Sequence, residues 1–328
     1  REMIRARVIG TGHYLPERVL TNFDLEKMMD TSDEWIRQRT GIEQRHVAAP
    51  DQATSDLAVL AAQRALKDAG LAPFDIDLII CCTTTPDHLF PATACLIQHR
   101  IEARNAAAFD LNAACSGFVY GLATATAFIE SGRFRRVLLI GAEVATNRLN
   151  WKNRDTAVLF GDGAGAVVLQ GEEGERGVLS TYLAADGADA HLLMLPAGGS
   201  RIVPTKENIG TEVHDFQMRG QELFKRAVLA FGSAIQKALE QNGISASDVD
   251  LFIPHQANVR IIQAAADRAG LSGDKVFLNL DKVGNTTAAS IPIALDQALQ
   301  AGRVVPGKLI LLAAFGAGLT WGSAVIRW

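Results

Sequence analysis

Asp75-Ile76-Asp77-Leu78-Ile79 and Asp248-Val249-Asp250-Leu251-Phe252 are two versions of one stretch in this 328-residue chain. Each follows a helical pattern and a short loop, and each opens an apolar strand. Outward from them the match continues. With Cys115 laid over Asn285, an offset of 170 residues, Gly132-Arg133 falls on Gly302-Arg303, and Val137-Leu138-Leu139 falls near Gly307-Lys308-Leu309. Each half closes on a glycine-bearing piece that runs into a strand, Phe160-Gly161-Asp162-Gly163-Ala164-Gly165-Ala166-Val167 and Trp321-Gly322-Ser323-Ala324-Val325. Several matches in order at nearly one offset indicate an internal duplication. The polar stretch 171–177 separates the halves, which sets boundaries at 1–173 and 174–328.

Apolar runs predict strands at 5–10, 78–83, 108–111, 137–141, 164–169, 178–183, 251–254, 276–280, 309–314 and 323–326. Helical spacing predicts helices at 56–69, capped by Ser55 and stopped by Gly70, at 222–241, and at 257–269, stopped by Gly270. Strands separated by helices of this length imply an α/β fold with largely buried sheets.

The composition is that of a globular protein, 48% hydrophobic and 21% charged. No apolar run approaches the ~20 residues of a membrane helix. The start, Arg1-Glu2-Met3, carries no apolar signal region, and Met3 reads as the natural initiator. A formal charge of −4 gives no support to a nucleic-acid binder. The four cysteines, Cys81, Cys82, Cys95 and Cys115, form neither Cys-x-x-Cys nor a metal-ligand spacing, so no metal is expected. Small buried hydrophobes in a reducing cytoplasm account for three of them.

Cys115 lies in Asn112-Ala113-Ala114-Cys115-Ser116-Gly117. Small neighbours leave the sulfur accessible. The repeat puts Cys115 and Asn285 at the starts of equivalent helices facing across a pseudo-twofold axis. Free N–H groups and the helix dipole there are expected to lower the thiol pKa. A small core residue in a tight helix start is the plainer alternative. His255, in Ile253-Pro254-His255-Gln256-Ala257-Asn258, follows a strand, where α/β proteins place site residues; a locally bonded loop histidine is the alternative. Asn285, in Gly284-Asn285-Thr286-Thr287, reads equally as a turn or cap residue. Gly161-x-Gly163-x-Gly165 runs into a strand rather than a helix, so it reads as a tight hairpin and not a dinucleotide loop.

Cys115, His255 and Asn285 in these contexts resemble the β-ketoacyl-acyl-carrier-protein synthase III enzymes of the thiolase superfamily. Further landmarks are Gly10-Thr11-Gly12-x-Tyr14-Leu15-Pro16, Asp30-Thr31-Ser32-Asp33-Glu34-Trp35-Ile36, Arg39-Thr40-Gly41-Ile42 and Thr320-Trp321-Gly322-Ser323-Ala324. The resemblance runs from about Ile9 to the C-terminus. It implies a duplicated thiolase-like fold in five αβαβα layers with two pseudo-equivalent mixed sheets. It implies a cytoplasmic homodimer that initiates fatty acid synthesis, with no permanently bound cofactor. Cys115 would take an acyl group, acetyl or another short chain, from acyl-coenzyme A. Malonyl-acyl carrier protein would then lose CO₂ and condense with it, while His255 and Asn285 bond the malonyl thioester oxygen. The N–H groups of Cys115 and Ala317 would form the oxyanion hole.

By the same resemblance, Trp35 and Arg154 would sandwich the adenine of coenzyme A, and Arg39 and Asn258 would line the cofactor tunnel. Phe160 would line the acyl pocket, and Phe90 would cross the dimer interface to close the other subunit's acyl pocket, suiting a short chain. Lys225, Arg260 and Arg268 would dock the acidic carrier protein. Two departures stand out. Phe315-Gly316-Ala317-Gly318 replaces the family's usual glycine run, which would strain Ala317 by about 1 kcal/mol if that position needs positive φ. The stretch 196–215 is long and lies where the family has its acyl and pantetheine sites. These leave open a secondary-metabolism relative with a longer or unusual starter. A thiolase lacks support, since no Cys follows Cys115, and an HMG-CoA-synthase-like enzyme lacks its glutamate in 83–87. A cysteine hydrolase would use His255 as a base toward water. A non-catalytic acyl-coenzyme A binder would have no need of all three residues.

Overall fold

The strongest apolar runs become strands buried on both faces, which is why they read as continuous rather than alternating. The computed structural model describes residues 3–271 and 273–328. β1 (Ile4–Tyr14) is followed by an antiparallel pair, β2 (Arg18–Thr21) and β3 (Gln44–Val47). β4 (Leu78–Cys82), β5 (Ala107–Leu111), β6 (Arg136–Glu143) and β7 (Gly163–Glu173) join β1 in a sheet ordered β1-β7-β6-β4-β5. β8 (Gly177–Ala185) opens the second half, and β9 (Leu193–Met194) and β10 (Gln217–Met218) form a small pair. β11 (Leu251–Pro254), β12 (Leu309–Gly316) and β13 (Thr320–Arg327) complete a second sheet, ordered β11-β12-β13-β8.

Four strands correspond in order, β1-β7-β6-β4 with β8-β13-β12-β11, and β5 has no counterpart. β4–β6 and β11–β12 are parallel pairs, and β6–β7 and β12–β13 are antiparallel. Helices α1 (Asn22–Glu26) and α2 (Asp33–Thr40) belong to a cap over the second half. α3 (Thr54–Ala69) and α4 (Thr93–Arg100) cover the outer face of the first sheet. α5 (Gly117–Glu130) lies between the sheets, and the short α6 (Arg154–Ala157) joins the cap. α7 (Gly220–Asn242) and α8 (Val259–Arg268) cover the second sheet. α9 (Leu280–Val283) is one turn, and α10 (Ser290–Gln300) lies beside α5 in the middle layer. This is the thiolase-like five-layer arrangement with mixed sheets.

Four sequence expectations are corrected. The predicted strand 276–280 does not form; only a single bridge joins Val276 to Phe252. The Gln256 side chain takes the partners a strand would need, donating to Phe277 O at 3.1 Å and accepting from Asn279 N at 3.0 Å. α3 begins at Thr54 rather than after Ser55: Asp56 accepts from Ala53 N, while Ser55 donates to Asp87 at 2.7 Å. α8 begins at Val259, capped by Asn258. The glycines 161, 163 and 165 are no tight hairpin, because residues 144–162 separate β6 from β7. They serve close packing: a Cβ on Gly165 would lie 2.6 Å from Ile293 N on α10.

The repeat register also shifts. Asn112 Oδ1 accepts from Ala114 N at 3.1 Å, and Asn285 Oδ1 accepts from Thr287 N at 2.9 Å. Ala114 and Thr287 both have positive φ, 49° and 51°. Both turns lead through a 3₁₀ turn into a middle-layer helix. Asn285 is therefore the counterpart of Asn112, and Cys115 that of Ala288, 173 residues on.

Candidate active site

Cys115 sits in the 3₁₀ turn Ala114–Ser116, where the chain leaves β5 for α5, and is only 7% exposed. The end of β12 packs directly on it. A Cβ on Gly316 would lie 2.6 Å from Cys115 N and 2.9 Å from Cys115 Cβ, so only glycine permits that approach. Ala317 is not among the positive-φ residues, whereas Gly318 has φ 138°. The strain considered for Ala317 does not arise; the positions that need glycine flank it. Backbone N–H groups do act to lower the thiol pKa, as expected, but they are outweighed. Burial first, and the Glu143 carboxylate second, push the Cys115 thiol up to about 12, opposed by the backbone N–H groups of Cys115 and Ala317.

His255 follows β11, its N–H extending the strand ladder to Ala313 O at 2.8 Å. Burial lowers its pKa to about 3, so the imidazole is neutral. Its Nδ1 is buried without a hydrogen-bond partner. Asn285 is pinned through its backbone: its N–H donates to Leu159 O and its carbonyl accepts from Gly161 N, both at 2.9 Å. With Oδ1 taken by Thr287 N, its Nδ2 is left as the free donor. Cys115, His255 and Asn285 all line one cleft of about 620 Å³.

Trp35, Arg39, Asn258, Lys225 and Arg260 line the same cleft nearer the surface. Asn258 caps α8 and donates to Arg39 O at 3.0 Å. Arg39 and Arg154 lie over the Trp35 ring, 4.6 and 4.5 Å from its centroid. A base between Trp35 and Arg154 would need two stacking gaps, about 7 Å in all, so Arg154 must swing off the ring. Arg154 itself donates to Asp30 O at 3.0 Å. Arg268, in the last turn of α8, is not among the residues lining the cleft.

A second cavity of about 850 Å³ meets the first at Cys115, Phe160 and Leu193. Ala197, Gly198, Gly199, Pro204 and His214 of the long 196–215 stretch line this cavity, with Ala317. Phe160 packs edge-on against Phe216, ring centroids 5.2 Å apart. Phe90 lines neither cavity and is 86% exposed, beside Leu89 at 81%.

The sequence reading missed Glu143. It ends β6 fully buried, accepting from Thr84 N and Oγ1 and from Thr287 Oγ1. A lone carboxylate closing the apolar run Val137-Leu138-Leu139-Ile140-Gly141-Ala142 is the signal that could have found it. Among the described residues no cluster of three His, Cys, Asp or Glu side chains could hold a metal ion. Nor is any helix among them long and apolar enough to cross a membrane.

The family model described as 3-oxoacyl-(acyl-carrier-protein) synthase III matches residues 109–187, and that of its C-terminal part matches 239–328. A β-ketoacyl-(acyl-carrier-protein) synthase III of Caldanaerobacter subterraneus is 56% identical over all of this chain and 99% of its own length. One from Desulfitobacterium hafniense is 51% identical, covering 99% of this chain and 98% of its own. The crystal structure of a 3-oxoacyl-(acyl-carrier-protein) synthase III from Aquifex aeolicus, 47% identical, superposes with a TM-score of 0.92 over 98% of this chain and all of its own. The chain belongs to the β-ketoacyl-acyl-carrier-protein synthase III family.

Proposed function

We propose that this enzyme loads a short acyl group from acyl-coenzyme A onto Cys115 and condenses it with malonyl-acyl carrier protein, initiating fatty acid synthesis. One observation carries the reading: three elements deliver Cys115, His255 and Asn285 to one cleft whose outer residues are aromatic and basic. In the first half-reaction the Cys115 sulfur attacks the thioester carbonyl, the coenzyme A thiolate leaves, and the thiol proton goes to it. The tetrahedral oxyanion is held by the N–H groups of Cys115 and Ala317. In the second, the malonyl carboxylate leaves as CO₂, the resulting enolate attacks the acyl carbon, and the Cys115 thiolate leaves and is reprotonated. His255 and Asn285 Nδ2 donate to the malonyl thioester oxygen as negative charge develops there. One such donor is typically worth roughly 10²–10³ in rate.

Trp35, Arg39, Arg154 and Asn258 bind coenzyme A in this reading, with Arg154 moving to admit the adenine. Lys225 and Arg260 at the mouth receive the carrier protein; Arg268 sits about 12 Å further along α8 and is turned about 80° from Arg260, a second basic contact for the carrier. The second cavity, with Phe160, takes the acyl chain. Phe90 of a second copy closes it, making the working unit a homodimer of two inseparable halves, 1–173 and 174–328. No resident cofactor is required by this chemistry. Four free thiols suit the reducing cytoplasm. The unusual-starter reading is not favoured, since relatives at about half identity over the full length are synthase III enzymes.

Intact-mass spectrometry with acyl-coenzymes A of increasing length tests the reading. A short acyl adduct is expected on the parent and absent from Cys115→Ala. No adduct at any length would refute the acyl-enzyme; a long-chain optimum would refute only the short starter.

A further inference from the structure

The two equivalent turns, Asn112–Ala114 and Asn285–Thr287, fold alike yet are not anchored alike. Both bond an Asn Oδ1 to the N–H two residues on. At Asn112–Ala114 the added anchor is neutral: Thr320 Oγ1, from the other half of the chain, donates to Ala113 O at 2.9 Å, and the Ala114 side chain has no hydroxyl. At Thr287 a buried carboxylate is added: Thr287 Oγ1 donates to Glu143, which belongs to the other half of the chain. The counterpart of Glu143 in the second half, 173 residues on, is Gly316. The turn therefore needs no carboxylate in order to form.

Thr287 is a β-branched residue at φ 51°, a conformation such residues adopt only when their surroundings impose it. Glu143 is fully buried and its oxygens receive three donors, Thr84 N, Thr84 Oγ1 and Thr287 Oγ1. Three donors on two oxygens suit an ionised carboxylate, which only accepts. Burial pushes the Glu143 pKa up, and the threonine donors oppose it. Thr287 N–H in turn holds Asn285 Oδ1 at 2.9 Å. That bond decides which way the amide points.

We propose that Glu143 is a positioning residue for the condensation half-reaction: through Thr287 it locks the Asn285 amide with Nδ2 toward the malonyl thioester oxygen. The proposal rests on the enolate-stabilising reading of Asn285. It separates the half-reactions, because acyl transfer to Cys115 uses the backbone N–H pair and not Asn285.

The test uses the full-length enzyme and the variants Glu143→Gln and Thr287→Val. Three quantities are read: acyl adduct on Cys115 by intact mass, CO₂ release from malonyl-acyl carrier protein, and iodoacetamide alkylation of Cys115 against pH. Decarboxylation kcat is expected to fall about 10²-fold in both variants. KM for the malonyl substrate should stay within about threefold, and the adduct should still form. Glu143→Gln alone should also speed alkylation at neutral pH, since it removes a negative charge that acts on the thiol. A general loss of folding would slow every readout together. Decarboxylation within about threefold of the parent in either folded variant overturns the proposal. So does an equal loss of adduct formation and decarboxylation. If Glu143→Gln does not fold, Thr287→Val decides, with Thr287→Ser expected to restore the rate. A parent enzyme that releases no CO₂ would instead sink the underlying function.

Discussion

At the residue scale, His255 shows how burial selects a role. A neutral imidazole with its proton on Nε2 leaves Nδ1 only a lone pair to satisfy, and Nδ1 is the atom without a partner. Such a ring suits donating a hydrogen bond rather than taking a proton in the resting enzyme. The same burial has a thermodynamic signature. The folded pKa, about 3, lies below the ordinary 6.5. The stability contributed by keeping this ring neutral is complete above pH 6.5 and is lost as pH falls toward 3. Between pH 7 and pH 4.5 the parent should lose about 2–3 kcal/mol more than His255→Asn. Urea-unfolding midpoints at the two pH values measure this; equal losses in both proteins would show that the ring is not buried neutral. The identities of Cys115, His255 and Asn285 were legible from their local sequence and the resemblance. The ionisation of Cys115 was not, because burial and the Glu143 charge are supplied by distant segments.

At the element scale, β12 matters as much for what it lacks as for what it packs. Its last residue, Gly316, leaves the space into which the Cys115 backbone fits. Gly316→Ala should cost about 1–3 kcal/mol of stability and displace the thiol, so that adduct formation slows more than thermal stability alone explains. A melting curve beside intact-mass kinetics checks it; normal acylation would mean the turn can yield. The strand and helix runs were legible because their apolar periods are strong. The register of the repeat was blurred by one element. α5 has 14 residues and α10 has 11. The turn glycines Gly132 and Gly302 just after these helices stand 170 apart, while the segments before them and the strands after them, Val137 with Ile310, stand 173 apart, so a sequence comparison finds both offsets and cannot place the gaps. The absent strand 276–280 escaped for a related reason: the side chain that intercepts its hydrogen bonds, Gln256, lies outside the segment.

At the scale of the whole molecule, two exposed features lie close together in the chain. β5 is the edge strand of the first sheet, with an open hydrogen-bonding side. Leu89 and Phe90 project from the loop that leads into α4, which packs beside β5. A second copy pairing edge to edge would cover both. Sedimentation equilibrium should therefore give a dimer mass, and Leu89→Glu with Phe90→Glu should shift it toward monomer and reduce condensation. A monomeric parent with full activity would refute the dimeric working unit.

The two halves meet at another seam. Residues 174–176 carry the chain from β7 to β8, and both described ends bond to that short connection. Gly174 N donates to Met3 O at 3.3 Å, and Arg176 Nε donates to Trp328 O at 2.8 Å. Met3 and Trp328 thus lie beside the midpoint. A circular permutant, opened at 174–176 and closed with a short linker between Met3 and Trp328, would present the same two sheets in swapped order along the gene. Which half is translated first is a matter of ancestry, while the chemistry at the seam depends only on their meeting.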